Sequence, residues 1–359
     1  MRNYIFCGDW VMEQMVGIHR YTYQILKELD NWLEEGKIDI PIKLVVPSNA
    51  SWVPSFNKIS VAKVGKIENK VEKHIWQQIV FPLYVLRNKG TGIDLTAALP
   101  ILGCKVYAIH DCIQEAYPEN FSEHKMFLKI TLIKRKIITG LKKCRIVTLT
   151  EDSKGEIIKF YPKVKRKVSI VSCGWEHMLD IGVDDNIFKK IDVMPDEKYF
   201  FSLGSKYKHK NFKWVIEVAK RYPQYKFVIT GTGIYSNNET ELKKAVPVNV
   251  IFTGYISNEE IKSLMMHCKA LIQPSLYEGF GLPPLEALSV GTPIIVSNKS
   301  CLPEIYKGAA HYIDPYDYEV DLDKLMDEPV DDPEMILNEY TWAKAASQLL
   351  DTLYAEENR

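Results

Sequence analysis

Apolar and polar positions follow two periods along this chain, and the places where one gives way to the other mark its elements. Short apolar runs predict strands buried on both faces: Tyr4-Ile-Phe-Cys7, Ile42-Lys-Leu-Val-Val46, Val106-Tyr-Ala-Ile109, Arg145-Ile-Val-Thr-Leu-Thr150 and Val168-Ser-Ile-Val-Ser172. Asp94-Leu-Thr96 reads as the start of another. Between them, apolar residues recur at helical spacing: Ile18, Tyr21, Ile25, Leu29 and Trp32 do so through about Glu35. His74-Ile-Trp-Gln-Gln-Ile-Val-Phe-Pro82 has the pattern of an amphipathic helix with Trp76 in a core.

Towards the C-terminus the alternation becomes regular. Strands are expected at 198–203, 225–230, 248–253, 270–274 and 293–297, with helices at about 211–221, 238–245, 258–267 and 284–290. This order predicts an α/β chain with doubly wound parallel sheets. After Thr341, Trp342, Ala345, Ala346, Leu349, Leu350 and Leu353 form one stripe of a final helix.

Composition adds limits. A chain of 359 residues suits two domains. The first is read as 1–173, and the loop from Gly174 through Pro195 as the linker into a second that runs to 335. No apolar run approaches the roughly 20 residues of a membrane-spanning helix, and Tyr4–Cys7 is too short for a signal-peptide core. Seven scattered cysteines without a Cys-x-x-Cys read as reduced thiols of a cytoplasmic protein. The net charge is zero, yet residues 1–173 carry 27 Lys and Arg against 17 Asp and Glu, and residues 174–359 carry 19 against 29. Such asymmetry hints at an anionic partner for the first half. Its densest part, His124 to Thr150, has eight basic residues and no acidic one. Met126, Phe127, Ile130, Leu132, Ile133, Ile137 and Ile138 interleave there with Lys129, Lys134, Arg135 and Lys136. The stretch 124–145 therefore reads either as an element that meets an anionic membrane surface or as a domain helix with a solvated basic face. No nucleic-acid module accompanies the charge.

The chemistry centres on Glu278-Gly-Phe-Gly-Leu-Pro-Pro-Leu-Glu286. Gly279 and Gly281 allow a sharp turn and close approach of a ligand to the amides. Pro283 and Pro284 suit a first helical turn. The helix so started has open N–H groups and a partial charge of about +0.5, which favours a diphosphate. Glu278 lies before the turn and Glu286 within the helix, so both could reach hydroxyls on one ligand.

The whole stretch Ser275 to Ser297 resembles the signature of the retaining glycosyltransferase family 4. The resemblance implies the GT-B architecture: two Rossmann-like doubly wound domains facing a cleft, with the C-terminal segment 336–359 packing back on the first. Leu203-Gly-Ser-Lys-Tyr-Lys-His-Lys-Asn211 is similar to the family's diphosphate loop, with Lys210 at the position that holds and activates the leaving group; Ser205 and Lys206 fall in the same donor loop. Many relatives have an arginine where Ser205 stands. The resemblance assigns Glu278 to sugar hydroxyls, Glu286 to the ribose, and the amides of Phe280, Gly281 and Leu282 to the diphosphate. It sets Gly254 and Tyr255 of Phe252-Thr-Gly-Tyr-Ile256 beside the nucleotide base. In the first domain, Val16-Gly-Ile-His-Arg-Tyr21 is similar to a family Gly-Gly-Ile-Gly-Arg-Tyr; Gly17 and Arg20 match, and Val16 and His19 depart. His110 and Asp111, at the end of a buried strand, match a pair facing the sugar and the acceptor. Alone, such a pair is also what a hydrogen-bonded strand end gives.

The implied reaction is hexosyl transfer from a nucleoside-diphosphate sugar with retention, without a protein nucleophile. No cofactor or metal is expected, since the sequence has no cluster of metal ligands and Lys210 with a helix dipole can replace Mg²⁺. The acceptor is expected to be a glycan, or one carried on a polyprenyl diphosphate at the inner face of a bacterial membrane. A sugar-nucleotide epimerase of the same architecture, or a non-catalytic sugar-nucleotide-binding subunit, are the alternatives.

Overall fold

The computed structural model describes residues 3–194, 197–204, 207–231 and 246–357. They form two compact units, one of residues 1–173 with 342–359 and the other of residues 174–341.

The first unit is built on a seven-stranded parallel sheet in the order β3-β2-β1-β4-β5-β6-β7: β1 (Tyr4–Cys7), β2 (Ile42–Val46), β3 (Ser60–Lys63), β4 (Thr91–Asp94), β5 (Cys104–Ala108), β6 (Arg145–Thr148) and β7 (Val168–Ile170). Every residue of β1, β4 and β6 is buried, as parallel strands covered by helices on both faces must be. The core beneath includes Ile5, Val45, Trp76, Phe81, Tyr107 and Ile146. Trp76 is wholly buried and its indole donates to the Val64 carbonyl at 2.7 Å.

Asp94 ends β4; it does not begin a strand. Its carboxylate accepts from the backbone N–H of Thr96 at 3.0 Å, Ala98 at 3.3 Å and Leu99 at 2.6 Å, which turns the chain just where the apolar Leu95 looked like a continuation. The final helix Trp342–Glu357 belongs to this unit, while 336–341 stay with the second, so the crossing falls six residues later than the sequence pattern indicates. Ala345, Ala346, Leu349 and Leu353 bury its apolar stripe. Gln348 accepts from Ser172 N–H at 2.8 Å and hydroxyl at 3.0 Å.

The second unit has a six-stranded parallel sheet, β10-β9-β8-β11-β12-β13, formed by β8 (Tyr199–Ser202), β9 (Lys226–Ile229), β10 (Val250–Phe252), β11 (Ala270–Gln273), β12 (Ile294–Ser297) and β13 (His311–Ile313). Helices at Phe212–Ala219, Asn258–His267 and Leu282–Ser289 fall where the periodicity put them; the expected helix at 238–245 lies outside the described residues. In each sheet the strand order reverses once near the middle, between β1 and β4 and between β8 and β11. The carboxyl ends of strands at such a reversal are where open α/β sheets receive ligands.

Candidate active site

Two loops of the second unit meet at its reversal point. The one after β8 ends in the turn Lys208–Lys210, and Asn211 then takes a left-handed conformation (φ +53°). Asn211 tolerates this because its amide is useful there: it donates to Pro274 O at 3.1 Å and to Pro315 O at 2.8 Å. Leu276 N–H donates to His209 O at 2.7 Å, which locks this loop to the one following β11. The result fixes Lys210 against Glu278, with Nζ at 2.8 and 3.0 Å from the two carboxylate oxygens. Gln273, the last residue of β11, donates to the same carboxylate at 2.9 Å. Burial alone would push the Glu278 carboxyl up; the Lys210 ammonium overrides it and holds the group below its ordinary value.

The turn after Glu278 is tied down from behind. Ser300 donates to Glu278 O at 2.8 Å, Cys301 Sγ does so at 3.2 Å, and Tyr306 donates to Gly281 O. Phe280 is buried edge-on to Tyr340, centroids 5.3 Å apart, so its side chain anchors the loop. Gly281 sits at φ +83° immediately before the helix Leu282–Ser289, and an added Cβ would lie 2.6 Å from Leu302 Cδ2 and 3.1 Å from Gln273 Nε2. Glycine is required there by conformation and by space. No side chain caps this helix. Within it, Glu286 is buried and paired with His177, Nε2 to Oε1 2.8 Å.

Gly254 forms an antiparallel bridge with Gly231, 2.9 and 3.0 Å, and carries φ +71°. Tyr255 beside it is 85% exposed and lines a pocket of about 380 Å³ with Phe252, Thr253 and Ile187. Ser205 and Lys206 lie outside the described residues.

The candidate residues of the first unit stand apart from one another in role. Gly17 opens the helix Gly17–Glu34; a Cβ there would meet no atom within 4 Å, so packing does not demand the glycine. Val16, its N-cap, is exposed and caps nothing with its side chain. Arg20 lies in the first turn, its N–H bonded to Val16 O at 2.9 Å. His110 Nε2 is 2.9 Å from Leu95 O, so the proton sits on Nε2, and the ring stands edge-on to Tyr21. Burial lowers its basicity. Asp111 accepts from Ile113 N–H at 3.0 Å and so shapes the strand-end turn. Lys134 and Arg135 are not part of a solvated basic face: both are buried, Lys134 donating to Ala98 O at 3.2 Å and Arg135 paired with Glu115 at 2.7 Å.

Residues 183–340 match the family of glycosyl transferases group 1. The chain is 29% identical over 235 residues, 64% of its length, to the O-antigen chain mannosyltransferase RfbU of Salmonella typhimurium, and it spans 62% of that relative. Solved structures share the fold at low identity: sucrose-phosphate synthase from Thermosynechococcus elongatus, with TM-score 0.71 at 14% identity over 99% of this chain and 100% of that one, and Anabaena HepE in complex with UDP and glucose, with TM-score 0.68 at 13% over 99% and 100%. The architecture is GT-B, two Rossmann-like parallel-sheet domains.

The second unit thus brings Lys210, Glu278 and the uncapped helix together, with Glu286 on that helix held by a histidine. The sequence reading left His177 inside a linker. It lies 109 residues from Glu286, and no spacing rule joins them. Chemically, the cluster offers one ammonium, a helix dipole and two buried carboxylates, which suits an anionic leaving group attached to a hydroxylated one.

Proposed function

We propose that this protein is a retaining glycosyltransferase that moves a hexosyl group from a nucleoside-diphosphate sugar to a glycan, or to a glycan carried on a polyprenyl diphosphate, in the synthesis of a bacterial surface polysaccharide. The observation that carries it is the Lys210–Glu278 pair at the reversal point beside the uncapped helix Leu282–Ser289. The similarity to a mannosyltransferase makes mannose the first sugar to try.

In this reading Lys210 leaves Glu278 for the donor diphosphate. The amides of Phe280, Gly281 and Leu282 accept the same charge, and Glu278 then receives sugar hydroxyls. Glu286, steadied by His177, binds the ribose, and Gly254 and Tyr255 border the base. The bond from the anomeric carbon to the phosphate oxygen breaks, and cationic stabilisation of that oxygen lowers the barrier without a metal. The acceptor oxygen joins the anomeric carbon on the same face, and its proton passes to the departing phosphate. Gly17, Arg20, His110 and Asp111 serve the sugar and acceptor from the first unit. Among the described residues no helix is long and apolar enough to cross a membrane. Exposed Met126, Phe127 and Ile133 beside Lys125, Lys129 and Lys136 form the face that would meet anionic lipid at the inner leaflet.

The test is product analysis with UDP-, GDP- and dTDP-sugars and a polyprenyl-linked or free glycan. Transfer with the donor's anomeric configuration kept supports the reading. Inverted product, or conversion of donor alone to an epimer, overturns it.

A further inference from the structure

The helix Lys125–Gly140 buries two adjacent cations, Lys134 and Arg135, whose charges the proposed reaction does not use. Each reaches one of the two turns that flank His110. Lys134 Nζ donates to Ala98 O at 3.2 Å, in the turn that follows β4. Arg135 donates to Asp111 O at 3.1 Å, in the turn that follows β5. We infer that Lys134 and Arg135 are positioning residues for His110: they lock both turns to one helix, and so fix where the imidazole points and which nitrogen carries its proton. The inference rests on the transferase reading for what His110 then does, but the locking itself rests on these contacts.

The turn after β4 grips the ring directly, since Leu95 O accepts from His110 Nε2–H at 2.9 Å. The same turn holds Ala97 and Leu99 at φ of +59° and +53°, a region L side chains avoid, so it keeps its shape only under restraint. Asp94 supplies part of that restraint by accepting from Leu99 N–H at 2.6 Å, Gln78 adds a bond to Leu99 O at 3.1 Å, and Lys134 adds its own to Ala98. The turn after β5 is held through Glu115, which takes Arg135 at 2.7 and 2.9 Å and the Tyr161 hydroxyl at 2.6 Å. A proton fixed on Nε2 leaves Nδ1 as an acceptor, the form that suits a sugar hydroxyl. Stability alone does not account for these cations. The side chains of Arg135 and Glu115 are each 6% exposed, and the buried Arg135 Nε has no hydrogen-bond partner among the described residues. Burial pulls the Lys134 ammonium below its ordinary value. A buried ion pair commonly stabilises a fold no more than apolar side chains of the same volume. What the cations add, and apolar groups cannot, is direction: two donors on one rigid helix aimed at two carbonyls.

The experiment follows the His110 ring in the full chain by long-range proton–nitrogen NMR with isotope-labelled histidine, assigned with His110→Gln, alongside steady-state kinetics. The wild type should show one tautomer, protonated on Nε2. Arg135→Met/Glu115→Leu replaces the ion pair with apolar side chains of like volume. It should keep the urea midpoint, mix the two tautomers, and lower kcat about tenfold with the donor KM held within about twofold. Lys134→Met breaks the other tie and should act in the same way, and it decides the question if the double variant does not fold. Arg135→Lys keeps a charged donor and should retain more of kcat than the double variant. A wild type already mixed between tautomers, folded variants that keep the wild-type tautomer, or variants that lose urea stability with kcat unchanged would overturn the inference. A ring freed in the variants of a protein that transfers no sugar would keep the positioning role and remove the transferase reading.

Discussion

Asp94 and Glu278 are buried carboxylates that stand in like places. One ends β4 and the other follows β11, and in each sheet that strand borders the reversal point. Their protonation goes opposite ways. Burial and the nearby Asp9 push Asp94 up to about 6, even though three backbone N–H groups bond it. Glu278 is also buried but faces Lys210 at 2.8 Å and is held down. The same topology therefore presents a charged pair in one unit and, in the other, a carboxyl used to shape a loop. Function lies in what the loops carry to the strand ends, not in the sheet.

The largest effect expected from breaking this contrast is catalytic. Lys210→Ala should lower kcat by about 10²–10³-fold, the loss typical of removing a donor that stabilises developing negative charge. Steady-state rates with saturating donor would show it, and an unchanged kcat would reduce Lys210 to a structural partner of Glu278. Next comes the backbone that aims the pair. Gly281→Ala forces a Cβ into a left-handed position 2.6 Å from Leu302, and should lower unfolding free energy by about 2–4 kcal/mol in urea titrations.

The two carboxyls should also set opposite pH dependence. Asp94, raised from 3.8 to about 6, keeps its proton in the folded protein after the unfolded chain has lost it. Its favourable contribution is complete below 3.8, falls as pH rises through about 6, and is worth on the order of 2–3 kcal/mol. Glu278 does the reverse: lowered from 4.5, it stabilises the fold above that pH, and the benefit is lost as pH falls through its depressed value. Urea midpoints from pH 5 to 6, above the range in which Glu278 contributes a slope, should flatten in Asp94→Asn and keep their slope in Glu278→Gln. The smallest change concerns the outer support. His177→Ala should raise KM for the donor about fivefold with kcat nearly kept, since one hydrogen bond to Glu286 is worth about 1 kcal/mol.

Much of this was legible before any coordinates. Strands buried on both faces write themselves as apolar runs, which is why β1, β2, β6, β8, β11 and β12 were found. The sequence cannot mark β3, whose four residues are half exposed, or the three-residue β13. Asp94 misled because Leu95 extends the apolar run, while the turn is made by hydrogen bonds that no pattern records. Lys134 and Arg135 looked solvated because helical periodicity does not reveal that Glu115 waits inside. In the second unit the turn glycines and the lysine loop were visible because their chemistry is local. The partners were not: Lys210 meets Glu278 across 68 residues, His177 meets Glu286 across 109, and Asp9 meets Gln77 across 68.

The central claim is that Lys210 exchanges Glu278 for a nucleotide's phosphates. Titration calorimetry of UDP, GDP and dTDP against wild type, Lys210→Ala and Glu278→Gln measures that exchange. At least one nucleotide should bind one to one, about tenfold or more weakly to Lys210→Ala, and more tightly to Glu278→Gln, where the competing carboxylate is gone. Equal affinity in all three proteins would contradict it.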